Sequence, residues 1–148
     1  MAGILGMAQI DGVATGTSKK TLLQLVAASN HRVKVSEWGI SFNGTSTTAA
    51  PIEVEIARQS DAGTATSLTL QKIDADGDET LQTTGQHTAT SEPTESAVIR
   101  REYVHPQAGY TWQAPFGQEI VINGGDRLAI VVTAGASVSA QAHFVFEE

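Results

Sequence analysis

Glu119–Thr133, EIVINGGDRLAIVVT, holds two β-branched apolar runs, Ile120–Ile122 and Leu128–Val132, on either side of Asn123-Gly124-Gly125-Asp126. Asn and Gly tolerate positive φ, so such a segment between apolar runs reads as a hairpin or a strand corner. Leu128-Ala129-Ile130-Val131-Val132 carries no polar residue, the pattern of a strand buried on both faces. The rest of the chain reads as strands that pair with this one or cover it.

Lys19–Val26 is the first such strand, with Thr21, Leu23 and Leu25 on one face. In Arg32–Asn43, Val33 and Val35 share one parity and Trp38, Ile40 and Phe42 the other. Side chains alternate along a strand, so the switch requires a bulge or a change of sheet, and Gly39 is where a bend costs least. Ile52–Ala57 alternates cleanly, Thr66–Ile73 turns Leu68 and Leu70 inward, Val98–His105 resumes strand character, and Val138–Phe146 aligns Ala140, Ala142, Phe144 and Phe146. Asn43-Gly44-Thr45 has the form of a glycosylation sequon but reads first as a turn.

Three segments resist this rhythm. Met1–Ser18 is rich in small residues, yet Ile4, Leu5, Met7 and Ile10 make it too apolar for a linker. It reads as a disordered terminus or as an arm that orders against a partner. Thr83–Ser96, TTGQHTATSEPTES, has no large apolar residue and is expected to be a long exposed loop. Pro106–Gly117, PQAGYTWQAPFG, is expected to be a shaped loop. Its aromatics have two readings: Trp112 and Phe116 plug one end of the fold, or Tyr103–Phe116 forms a contact surface carrying Tyr103, His105, Tyr110 and Trp112. His105, beside Pro106, reads as a satisfied edge residue.

The expected class is all-β: an antiparallel jelly-roll β-sandwich of about eight strands, with a flexible N-terminal arm over residues 1–18 and the sandwich over 19–148. A chain of 148 residues can bury a sufficient core as one domain. The absence of Cys fits a reducing compartment or a particle assembled inside a cell. A net charge of −7 with no basic block longer than a pair argues against nucleic-acid or anionic-membrane partners. Met1–Gly12 lacks the basic start and continuous apolar centre of a signal peptide, so a soluble, unprocessed protein is expected.

Catalytic chemistry is not expected. The four histidines, His31, His87, His105 and His143, are scattered outside any spacing that places two on one metal, and the paired histidines of cupins are absent. Asp74-Ala75-Asp76-Gly77-Asp78-Glu79 resembles a calcium loop, but counted from Asp74 its glycine falls fourth and the twelfth position is Gly85, which has no ligand to offer. The expectation is no catalytic residue, no metal and no cofactor.

Thr21-Leu22-Leu23-Gln24-Leu25, Arg32–Phe42, Glu53–Arg58 and Gly125-Asp126-Arg127-Leu128 together resemble the small jelly-roll structural proteins of tailed bacteriophages, in particular head decoration (cement) proteins. The resemblance covers Lys19–Glu148. It implies a homotrimer on the exterior of an icosahedral capsid, made in the host cytoplasm, that bridges major capsid protein subunits. In that setting Ile4, Leu5, Met7 and Ile10 would extend reach as an arm. Deleting Met1–Gly12 would then leave a folded protein that binds shells more weakly. The second reading is a carbohydrate- or receptor-binding module of a phage tail tip or fibre, with the aromatic loop and Thr83–Ser96 as the ligand site.

Overall fold

The computed structural model describes residues 3–43, 50–74 and 77–148. Part of the Asn43-Gly44-Thr45 turn and the middle of the Asp74–Glu79 turn lie outside the described residues. Among those described there are twelve strands and no helix. They form two six-stranded antiparallel sheets packed as a β-sandwich.

The first sheet is built on β3 (Val33–Asn43), β12 (Ser139–Glu147) and β1 (Leu5–Ala14), with β6 (Gln71–Lys72) outside β1. β9 (Tyr110–Gln113) and β10 (Ile120–Ile122) share the free edge of β3, against Glu37–Ile40 and Val33–Val35 respectively. The second sheet runs β5 (Thr64–Leu68), β7 (Thr84–Ser91), β2 (Lys20–Val26), β11 (Arg127–Thr133), β4 (Ile52–Gln59), β8 (Glu95–Val104). Across the two sheets, the pairings of the chain's first half with its second half are nested. β1 pairs β12, β2 pairs β11, β3 pairs β9 and β10, and β4 pairs β8. β5, β6 and β7 interrupt this nest between β4 and β8.

The Asn123–Asp126 segment is a corner, not a hairpin. Asp126 N–H donates to the Asn123 carbonyl at 2.9 Å, Gly125 takes φ 84°, and the chain leaves β10 in one sheet for β11 in the other. β11 lies between β2 and β4 with five successive buried residues. Leu128, Ile130 and Val132 enter the main core, while Ala129 and Val131 pack with Ala57 on the opposite face.

The parity switch in β3 is a bulge at Ser36. Val145 pairs Glu37 but Phe146 pairs Val35, so Val33 and Val35 face the same core as Trp38 and Ile40. The Ser36 carbonyl accepts the Ala114 N–H at 2.8 Å, tying in the link between β9 and β10. Gly39 lies one turn of the pleat away, beneath the His143 ring, where a side chain would collide. A second bulge falls at Leu22 and puts Thr21 opposite Val131, on the face away from Leu23 and Leu25. Thr21 is buried there in a polar network rather than in the core.

The strand count is twelve among the described residues, not about eight, and three further expectations change. The flexible arm is instead β1, hydrogen-bonded along β12, with Ala8, Ile10 and Val13 in the core. Thr83–Ser96 is not a loop but β7 and the start of β8. Ladder hydrogen bonds and side-chain amides order it without large apolar residues, as where Gln86 Nε2 donates to Gln24 Oε1 at 2.7 Å. Within Pro106–Gly117, residues 110–113 are the strand β9.

β8 is pinned to β4 by charge. Glu55 is buried on β4, its Oε1 3.1 Å from Arg101 Nε and its Oε2 3.1 Å from Lys19 Nζ, and Lys19 also pairs with Glu95. Burial disfavours the Glu55 carboxylate, but the hydrogen bonds from Lys19 and Arg101 outweigh it and hold the carboxyl below its usual 4.5. A folded-state value below the unfolded one means stability that is present above pH 4.5 and lost as pH falls through the folded value. Glu55→Gln should therefore lower the urea-unfolding free energy at neutral pH by about 1 kcal/mol, because its partners are largely solvated. The gap to wild type should close as pH drops below 4.5, and a gap that stays constant into acid would show that the charge is not the source.

Candidate functional site

The eight residues singled out from sequence do not converge. Ile10 is core. Leu5 and Met7, opposite Glu147 and Val145, lie half-buried on the outer face of the first sheet. Ile4 exchanges backbone hydrogen bonds with Glu148 at 2.9 and 3.0 Å and borders a cleft of about 530 Å³ with His31, Thr80 and Gln82. At the opposite flank, Tyr103 is exposed on the edge strand β8, opposite Glu53. His105 is exposed, and its Nδ1 accepts the Gln107 N–H at 3.2 Å within the turn that leads to β9.

Tyr110 and Trp112 turn inward, since their register partners Ile40 and Trp38 are core residues. The Tyr110 ring tilts against Trp38 with centroids 5.3 Å apart. Arg100, from the facing edge strand β8, closes the gap between the two sheets. Its Nη2 donates to the Tyr110 hydroxyl at 2.7 Å, its Nε donates to Glu102 at 2.7 Å, and its guanidinium lies 5.8 and 6.0 Å from the Tyr110 and Trp112 ring centroids. Trp112 thus behaves as a plug. Phe116 does not, for it stands wholly in solvent at the tip of the turn between β9 and β10. Sequence reasoning missed Arg100 because its aromatic partners are ten or more residues away and no local spacing marks them.

On the outer face of the first sheet, Glu37 accepts from Gln113 Nε2 at 2.7 Å and lies 2.7 Å from His143 Nε2. Hydrogen bonds from Gln113 and then His143 hold its carboxyl below the usual range. This cross-strand pair rests on an open sheet face and lines neither flank cleft. Its role on that face is to tie β9, β3 and β12 together.

The larger cleft, about 730 Å³, lies at the flank formed by β5, β6 and the segment leading into β7. Leu68, Leu70 and Leu81 form its apolar floor, and Asp74, Asp78 and Glu79 its rim. Lys72 is turned onto backbone, with Nζ donating to the Gly77 and Glu79 carbonyls at 3.0 and 2.8 Å. The geometry offers shape and charge at two opposite flanks: exposed aromatics at one, an acidic apolar-floored cleft at the other. Compared with known proteins, the chain matches no family model, no curated protein and no solved structure.

Proposed function

We propose that this chain is a structural virion protein that binds the outer surface of an icosahedral phage head as a homotrimer and stabilises it by bridging major capsid protein subunits. The observation that carries the reading is the nested pairing of β1 with β12, β2 with β11, β3 with β9 and β10, and β4 with β8. A jelly roll, one long antiparallel hairpin rolled across two sheets, pairs its strands in this order, so the nesting supports that reading of the β-sandwich. That topology supports the resemblance to head decoration proteins.

The physics of such a role is consistent with the chain. A shell presents repeated local threefold positions, and a symmetric trimer places three equivalent patches on one of them. Each contact can be weak, because linked contacts act at high effective concentration. A net charge of −7 keeps decorated particles apart.

Purified protein should co-sediment with undecorated heads and saturate at a fixed, high ratio to capsid subunits. No co-sedimentation, or saturation at a few copies per particle, would remove the capsid role. Glycan binding lost in Tyr103→Ala, in a protein indifferent to heads, would replace it with the carbohydrate-binding reading.

A further inference from the structure

Among the described residues, the large apolar side chains left in solvent are Ile99 at 43%, Tyr103 at 76%, Phe116 at 102% and Ile73 at 47% exposure. None lies in the middle of a sheet. Ile99 and Tyr103 are on the edge strand β8, and Phe116 is on the turn beside the β3 edge. Ile73 follows β6, the opposite edge of the first sheet. A monomer gains nothing by concentrating apolar surface on its two flanks.

The two flanks differ in shape. Phe116 is a knob on a rigid turn: the Gln118 N–H donates to the Pro115 carbonyl at 2.9 Å, and Gly117 at φ 82° supplies the left-handed residue that a type II turn needs. The far flank holds the cleft of about 730 Å³, floored by Leu68, Leu70 and Leu81. A phenyl ring has an apolar destination there.

They also differ in charge. Three cations meet β10, the strand that follows the knob, or the residue after it. Arg32 donates to Asn123 at 3.3 Å, Lys34 stands opposite Val121, and Arg58 donates to the Val121 carbonyl at 3.1 Å. Glu119 in the adjoining link, Asp126 in the corner and Glu147 opposite Lys34 offset part of that charge, but among the described residues none of the three cations is in an ion pair. The cleft is rimmed by Asp74, Asp78 and Glu79, while Lys72, which also lines it, has its ammonium occupied by carbonyls.

We infer that the occupant of the cleft is a second copy of this chain, seated by Phe116, so that subunits join head to tail through opposite flanks. Such a contact is heterologous. Each copy keeps one free knob and one free cleft until a ring closes. The inference deepens the proposed trimer by naming its surfaces, and it rests on that reading only for the number of copies in the ring.

Analytical ultracentrifugation of the full chain tests it without shells. Wild type should sediment as a closed oligomer. Phe116→Glu breaks the knob, and Asp78→Arg with Glu79→Arg breaks the cleft. Both change solvent-exposed side chains, and circular dichroism checks the fold of each. Each variant should weaken self-association roughly 30-fold or more and sediment as monomer. Mixed in equal amounts, the two should form a heterodimer and nothing larger, since the pair retains one intact knob and one intact cleft. A monomeric wild type, an unchanged mass in either variant, or a mixture that stays monomeric would overturn the inference. An oligomer that ignores heads would leave it standing and remove the capsid role; a monomer that binds heads would do the reverse.

Discussion

A chain lacking Met1–Gly12 is expected to lose its cooperative unfolding transition, not merely its affinity for a partner. The deleted residues include most of β1, which lies between β12 and β6. Leu5–Ile10 pair residue by residue with Glu147–Ala142, so removal strips one edge of β12 of its ladder partners. It also takes Ala8 and Ile10 out of the core, and uncovers Phe144 and Phe146, which are fully buried. Gly6 is packed so closely on the Phe146 ring that an added Cβ would overlap it, so the strand is fitted to its neighbour. Burying Ile10 alone is worth about 1.5–3 kcal/mol, and exposing two phenylalanines adds more of the same kind. A domain holds only about 5–15 kcal/mol in total. Far-ultraviolet circular dichroism during a urea titration should show no sigmoid for the truncated chain. A transition at the wild-type midpoint would mean that β1 is a dispensable arm after all.

Trp38→Ala should be the most damaging single substitution in the first sheet, costing about 3–5 kcal/mol. Trp38 is wholly buried, heads the set of large buried side chains, and supports the Tyr110 ring at 5.3 Å. Through Tyr110 it also supports the Arg100 clasp between the sheets. Trp38→Phe should cost much less, about 1–2 kcal/mol. The ring keeps most of its contacts, and the lost indole Nε1 has no hydrogen-bond partner among the described residues. Urea midpoints with unchanged m values would report both differences as stability. Equal losses in the two variants would show that the indole N–H, not ring volume, carries the effect. Faster amide exchange in β9 of the alanine variant would trace the damage to the clasp.

Legibility in the sequence followed the strength of local pattern. Val33, Val35, Trp38, Ile40 and Phe42 announced a bulge or a change of sheet because alternation is a rule each residue obeys with its neighbour, and the structure made it a bulge. Ala140, Ala142, Phe144 and Phe146 announced a half-buried strand for the same reason, and all four are buried. Thr83–Ser96 defeated this kind of reading. β7 lies between β2 and β5, so its order comes from strands more than fifteen residues away, and an edge region can be built on Thr, Gln and Gly. Met1–Ser18 failed similarly. Its alternation of small and large residues became meaningful only against the Phe146 and Phe144 rings at the other end of the chain.

The same division holds for the candidate surfaces. Tyr110 and Phe116 look alike in PQAGYTWQAPFG, yet one packs inward under Arg100 and the other stands alone in solvent. From sequence alone came the all-β class, a turn at Asn123–Asp126, a parity break in Arg32–Asn43 and the doubly buried strand, because backbone alternation and turn chemistry act over a few residues. Tertiary structure alone decided that the first strand is part of the sheet, that the strands nest, and that an aromatic knob and an acidic cleft face opposite ways. Those features depend on which distant segments share an edge, and hydrogen-bonded strand order leaves no trace in local spacing.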